Sequence, residues 1–60
     1  MKIEDLENDG LTVVKVKKVN KTTVKVRFYH PTEGEFSRTI SDHTSGPINE
    51  LLQDAKARGL

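Results

Sequence analysis

The chain has 60 residues, a formal net charge of +1 at pH 7 and no cysteine. We expect one small domain over residues 1–60, because at this length only about 60 % of the unfolded surface is buried on folding. The lack of cysteine excludes disulfides, thiolate zinc sites and cysteine catalysis, and it agrees with a reducing cytoplasm. No apolar run is long enough for a membrane span or a signal peptide, so a cytoplasmic protein without a membrane partner is expected.

The small net charge conceals an uneven distribution along the chain. Residues 2–9 contain four carboxylates against one lysine, a balance of −3. From Lys15 to Arg38, seven basic residues stand against Glu33 and Glu35, a balance of +5. This separation predicts a dipolar molecule whose central part attracts anions.

The amino-terminal stretch MKIEDLENDG predicts one or two helical turns. Ile3 and Leu6 have the i, i+3 spacing of a helix face, and Gly10 can end the helix. The four acidic residues of the stretch lack the spacing of a calcium loop. We therefore expect them on a solvated helix face.

Three strands are predicted next, near residues 11–19, 22–30 and 35–41. They are rich in valine and threonine and alternate apolar with polar residues, which is typical of strands with one buried face. Asn20 and Lys21 are predicted at the tip of the first hairpin, where asparagine tolerates positive φ. Pro31 to Gly34 form the second turn, with Gly34 available for a bulge.

A longer helix is predicted after a turn. Ser45 or Gly46 is the expected N-cap, and Pro47 suits the first helical position. The apolar stripe of this helix comprises Ile48, Leu51, Leu52 and Ala55. The pattern predicts an α+β fold of order α-β-β-β-α, in which a three-stranded antiparallel β-meander carries the C-terminal helix on one face and a short helical turn precedes the sheet.

Strict alternation assigns a buried and an exposed face to the strands. The expected core residues are Val14, Val16, Val24, Val26, Phe28, Phe36 and Ile40. The expected outward residues are Val13, Lys15, Lys17 and Val19 on the first strand and Thr23, Lys25, Arg27 and Tyr29 on the second. With a three-residue loop, two registers are possible, which pair Lys15 with Arg27 and Lys17 with Lys25, or Lys15 with Lys25. Either register makes cations cross-strand neighbours, about 5 Å apart.

The third strand leaves the position of one arginine open. Phe36, Arg38 and Ile40 have the same parity, so Arg38 points inward or escapes at the sheet edge if the two apolar residues are buried. A bulge at Gly34 or within the strand would instead place Arg38 beside Arg27 on the basic face.

The exposed face predicts a nucleic-acid-binding module, with DNA favoured over RNA, because strands that present cations can enter the DNA major groove. The candidate binding residues are Lys15, Lys17, Lys25, Arg27, Tyr29 and Arg38. The lysines would neutralise phosphates, Arg27 would contact a phosphate or a guanine edge, and Tyr29 would stack or bind a phosphate. Solvent-facing lysines also serve solubility alone, and that interpretation stays open.

The order of the elements resembles that of known nucleic-acid-binding domains. Three strands followed by a helix resemble the DNA-binding domains of tyrosine-type integrases and of the plant AP2 class, whose sheets contact the major groove. The full order resembles double-stranded RNA-binding domains, although the last helix here lacks the lysine cluster that begins it in that family. The likeness is one of order alone, and a fold does not determine a function.

A second hypothesis is a protein-interaction or inhibitor module. Its sheet edge or acidic amino-terminal segment would dock on a larger protein. An enzyme is not expected, because Asp42, His43, Thr44 and Ser45 are adjacent in a turn and do not reach the geometry of a hydrolytic triad. For Thr44 and Ser45, N-capping of the following helix is the expected role, ahead of phosphate binding. His30 is expected to be structural, and no cofactor, metal or small-molecule substrate is predicted.

Overall fold

The computed structural model describes all residues from Met1 to Leu60 and has the predicted α+β fold. The elements are α1 (Ile3–Glu7), β1 (Thr12–Asn20), β2 (Thr23–His30), β3 (Gly34–Ser41) and α2 (Gly46–Ala57). The strands form one antiparallel meander in the order β1-β2-β3. Neither helix has the length and apolar character needed to cross a membrane.

The core lies between the helices and one face of the sheet. Its nine buried side chains are Ile3, Val13, Val16, Val24, Val26, Phe28, Ile48, Leu51 and Ala55. The predicted stripe of α2 supplies three of them, and its fourth residue, Leu52, is half-buried at the margin. Burial of one such large apolar side chain contributes about 1.5–3 kcal/mol. Because conformational entropy opposes this gain, the net stability of so small a domain is low, and each buried residue contributes a large share of it.

A bulge in β1 changes which valine is buried. Val13 lies opposite Phe28 and Lys15 opposite Arg27, so Val14 is an extra residue of β1. Val13 is buried, whereas Val14 is 38 % exposed. The prediction that Val14 points inward and Val13 outward is therefore wrong. A bulge sets two residues of one strand against one of its neighbour, so alternation fails there and resumes beyond it.

The β1–β2 turn also differs from the prediction. Asn20 lies opposite Thr23, which leaves a two-residue turn instead of a three-residue loop, and Val19 is a second extra residue of β1. Asn20 does not have a positive φ. Its side-chain oxygen instead accepts hydrogen bonds from the backbone N–H of Thr22 at 3.0 Å and from the Thr22 hydroxyl at 3.3 Å. The asparagine thus stabilises the turn through its side chain.

The β2–β3 pair is regular along its whole length. Its register runs from Thr23 opposite Ser41 to His30 opposite Gly34 without a bulge. His30 holds the turn between these strands, because its Nδ1 accepts hydrogen bonds from the Thr32 hydroxyl at 2.9 Å and from the backbone N–H groups of Thr32 and Glu33 at 3.2 and 3.3 Å. The structural role expected for His30 is confirmed.

Carboxylates attach α1 to the rest of the domain. Asp54 of α2 accepts a hydrogen bond from the backbone N–H of Ile3 at 2.8 Å. That bond lowers the pKa of Asp54 and outweighs the partial desolvation that raises it. Glu7 accepts a hydrogen bond from the N–H of Val13 at 3.0 Å and pairs with Arg58 at 3.6 Å. A helix of this length is unstable alone, so these contacts and the burial of Ile3 hold it in place.

Candidate nucleic-acid interface

The sheet face opposite the helices carries the predicted cations. Lys15, Lys17, Lys25 and Arg27 are exposed there, and together with Ser37 they line a shallow depression of about 210 Å³. No apolar side chain contributes to the lining. Small-molecule sites are usually larger, about 300–1,000 Å³, and mostly apolar. The chemistry of this depression therefore suits an anion.

The four cations form two rows across β1 and β2. Lys15 lies directly opposite Arg27, and Lys17 lies directly opposite Lys25. Opposed side chains begin about 4.5–5.5 Å apart at Cβ, and successive rows are about 6.7 Å apart along the strand. The structure thus has the first of the two registers that the sequence allowed. We call these four residues the cation array.

The third strand extends both rows with hydroxyl groups. Ser37 lies opposite Arg27, and Thr39 lies opposite Lys25. Ser37 and Thr39 are not among the binding residues predicted from the sequence. The alternation of β3 contained the signal, because Ser37 and Thr39 have the parity opposite to that of Phe36 and Ile40. A hydroxyl group donates and accepts hydrogen bonds, so it can bind a phosphate oxygen without adding charge.

The cation array is not neutralised within the protein. The ion pairs of the structure use the carboxylates of Glu7, Asp42, Glu50 and Asp54, and none of them involves the array. Glu35, the carboxylate of this face, lies opposite Tyr29, one row beyond Arg27. Each pair of opposed cations costs about 1 kcal/mol or less in water. The face therefore retains a repulsion that a bound anion would relieve.

Tyr29 belongs to the basic face, whereas Arg38 does not. Tyr29 is 46 % exposed and lies in the row next to Arg27. Arg38 lies opposite Val26, which is buried, so the arginine is on the helix side of the sheet at its edge. Its guanidinium carbon is 6.0 Å from the ring centres of both Phe28 and Phe36. The regular β2–β3 register separates Arg38 from the other candidate residues.

Hydrogen bonds between neighbouring residues stabilise the turn before α2. Asp42 accepts hydrogen bonds from the backbone N–H and the hydroxyl of Thr44, both at 3.0 Å, and these bonds lower the pKa of Asp42. The side chain of His43 is 96 % exposed, and its Nδ1 lies 3.9 Å from the Asp42 carboxylate. The Thr44 hydroxyl donates to a carboxylate and not to an imidazole, so these residues lack the nucleophile–base contact of a triad. Ser45 is the N-cap of α2 without a side-chain capping bond.

Comparisons with known proteins found no relative of this chain. No protein-family model, no curated protein and no solved structure matches this chain. No cluster of three or more histidine or carboxylate side chains is arranged to hold a metal ion. The case for a function therefore rests on the geometry and charge of the molecular surface.

Proposed function

We propose that this protein binds duplex DNA through the basic face of its sheet. The observation that carries the proposal is the cation array, in which two lysine-containing rows have no internal counter-ion. Each DNA strand supplies one negative charge per about 3.4 Å of helix axis, so several phosphates come within reach of a patch of this size. Binding would replace the repulsion between the cations with attraction to phosphate.

The width of the β1–β2 ribbon favours the DNA major groove. The array lies on two strands that are about 4.8 Å apart. The major groove of B-DNA is about 12 Å wide and admits a two-stranded ribbon, whereas the major groove of an RNA duplex is too narrow and deep for side chains to read. We therefore favour DNA over RNA.

The scarcity of aromatic residues argues against single-stranded nucleic acid. Proteins that bind single strands stack successive bases on aromatic side chains. Tyr29 is the one aromatic residue of the basic face, because Phe28 and Phe36 lie on the other side, with their ring centres 5.5 Å apart. Tyr29 suits one contact at the margin of the array. Arg27 is the candidate for a base contact, since a guanidinium can bind O6 and N7 of guanine.

The competing hypothesis, docking on a larger protein, has less support from the acidic segment. Asp5 accepts a hydrogen bond from the backbone N–H of Lys2 at 2.9 Å, and Glu7 is engaged with Val13 and Arg58. Because of these internal bonds, Glu4 and Asp9 are the carboxylates of the acidic segment that remain available to contact a partner. The cation array is the larger group of unpaired charges and the better supported binding surface.

A fluorescence-anisotropy titration tests the proposal. A labelled duplex and its single strand are titrated at several salt concentrations between about 50 and 200 mM, and four phosphate contacts predict a log–log slope of about −3 to −4 on the duplex. The double variant Lys15→Ala with Lys25→Ala should reduce the slope by about 2. The matched control, Lys18→Ala with Lys21→Ala, removes the same charge outside the array and should keep the slope. Absence of micromolar binding at low salt would contradict the proposal and favour a protein partner.

A further inference from the structure

The two edges of the sheet differ in how well they are protected. β1 is interrupted by bulges at Val14 and Val19, is rich in lysine, and has the N–H of Val13 bonded to Glu7. β3 has eight residues in a regular register and contains no lysine, no proline and no bulge; its charged residues are Glu35 on the basic face and Arg38 on the helix side. Proteins use these features to prevent an edge strand from pairing with another chain. Arg38, an inward-pointing charge, is the one such device on β3, so β3 is the less protected of the two edges.

We propose that β3 pairs with β3 of a second copy of this chain about a two-fold axis at Ser37. In such an isologous contact, the residue on the axis lies opposite its own copy. An axis at Ser37 pairs the strand from Gly34 to Ile40. An axis at Arg38 would be equally long but would oppose two guanidinium groups, and an axis at Phe36 would pair a shorter segment because β3 begins at Gly34. The axis at Ser37 combines the longest ladder with no opposed charges.

This register gives the half-exposed side chains of β3 suitable partners. Phe36 and Ile40 are only half-buried, and the backbone of α2 approaches β1 and α1 more extensively than it approaches β3. In the dimer, Phe36 lies opposite Arg38 of the second copy, once on each side of the axis. Arg38 already makes this kind of contact within its own chain, where it lies over Phe28 and Phe36. The pairing therefore buries apolar surface and adds a cation–π contact on each side.

The dimer would join the two basic faces, because Ser37, on the dimer axis, lines the same depression as the cation array. The three-stranded sheet would become six-stranded, and the β2 strands of the two copies would lie about 14 Å apart, three strand spacings. Dimer formation itself does not depend on nucleic acid. It assigns a role to Arg38, which lies outside the proposed DNA-binding surface.

Single cysteine variants test the register, because the chain has no cysteine of its own. Ser37→Cys places the two thiols on the axis, with Cα atoms about 4.5–5.5 Å apart, inside the 4.4–6.8 Å range of disulfides. Thr39→Cys is the matched control on the same strand and face, with its two Cα atoms about 14 Å apart. Under mild oxidation, Ser37→Cys should form a covalent dimer at least about tenfold faster than Thr39→Cys. Sedimentation equilibrium of the unmodified chain should show a concentration-dependent dimer.

Two results would overturn the dimer. The first is cross-linking of Thr39→Cys as fast as that of Ser37→Cys, which indicates random collision or another register. The second is sedimentation of the unmodified chain as a monomer at all concentrations up to about 500 µM. At that concentration a dimer with a standard free energy of association of about −4.5 kcal/mol is still detected. Both experiments omit nucleic acid, so their failure is distinct from a failure of DNA binding.

Discussion

Lys17→Glu should stabilise the fold while it weakens DNA binding. Lys17 lies directly opposite Lys25 on the exposed face, and Lys15 is its neighbour along the strand. The substitution converts a repulsive cross-strand pair into an attractive one. In the same step it removes one of the proposed phosphate contacts and introduces a carboxylate, which repels DNA. Opposite signs for stability and binding are the signature of a surface arranged for an anionic ligand.

The size of the stability gain follows from the strand spacing. Two unit charges about 5 Å apart in water interact by about 0.8 kcal/mol, so reversal of one charge changes the pair energy by at most about 1.6 kcal/mol. Measured exposed pairs fall lower, and we expect a gain of about 0.5–1 kcal/mol at low salt. In a domain of this size that gain raises Tm by about 2–8 °C. The rise should largely disappear at about 1 M salt, where the Debye length is about 3 Å.

Thermal unfolding followed by circular dichroism measures the gain, and the anisotropy titration measures the loss. The log–log slope on duplex DNA should fall from about −3.6 to about −2.7 or less in magnitude. Lys18→Glu is the matched control, because it makes the same charge change on the same strand. Lys18 lies opposite Val24, outside the array, so its substitution should leave Tm and slope close to those of the unmodified protein.

A lower Tm for Lys17→Glu would refute the repulsion argument, as would an equal rise for Lys18→Glu. A rise in Tm with unchanged DNA affinity would have a different meaning. It would leave the repulsion established and would show that the cation array is not the DNA contact.

Two further predictions concern the contacts that hold the fold together. Asp54 has a lowered pKa in the folded state, so its contribution to stability is present above the unfolded pKa of about 3.9 and is lost as the pH falls through the lower folded value. Asp54→Asn can still accept the Ile3 hydrogen bond but cannot titrate. Urea unfolding should therefore show a smaller loss of stability for this variant than for the unmodified protein between about pH 5 and pH 2. The control Asp9→Asn should lose as much stability over this range as the unmodified protein. His30→Ala should lower the free energy of unfolding by about 1 kcal/mol, because the turn loses its hydrogen-bond acceptor. His43 is exposed, so the control His43→Ala should leave the free energy of unfolding unchanged. Equal effects of the two histidine variants would contradict the role of His30.

Local patterns in the sequence were sufficient to predict the order and type of the elements. The i, i+3, i+7 spacing of Ile48, Leu51 and Ala55 is a property of one helix, and the alternation from Lys15 to Lys17 is a property of one strand. Their burial or exposure follows from the period of the element alone. For the same reason the four residues of the cation array could be placed on one face before the strands were paired.

The bulges, the turn and the face of Arg38 were decided by the tertiary structure. A bulge arises from two strands together, so nothing within β1 alone distinguishes Val13 from Val14 as the buried residue. Arg38 shares its parity with Phe36, and only the regular pairing of β3 with β2 determines that it stays on the helix side.

The sequence by itself determined that this protein has one strongly basic sheet face, because side-chain alternation is set by backbone geometry within each strand. The tertiary structure decided that its four cations oppose one another in two rows, that hydroxyl groups extend those rows, and that β3 forms a regular edge of the sheet without a bulge. Register and edge exposure depend on contacts between residues distant in the chain, and such contacts have no signature in any single segment.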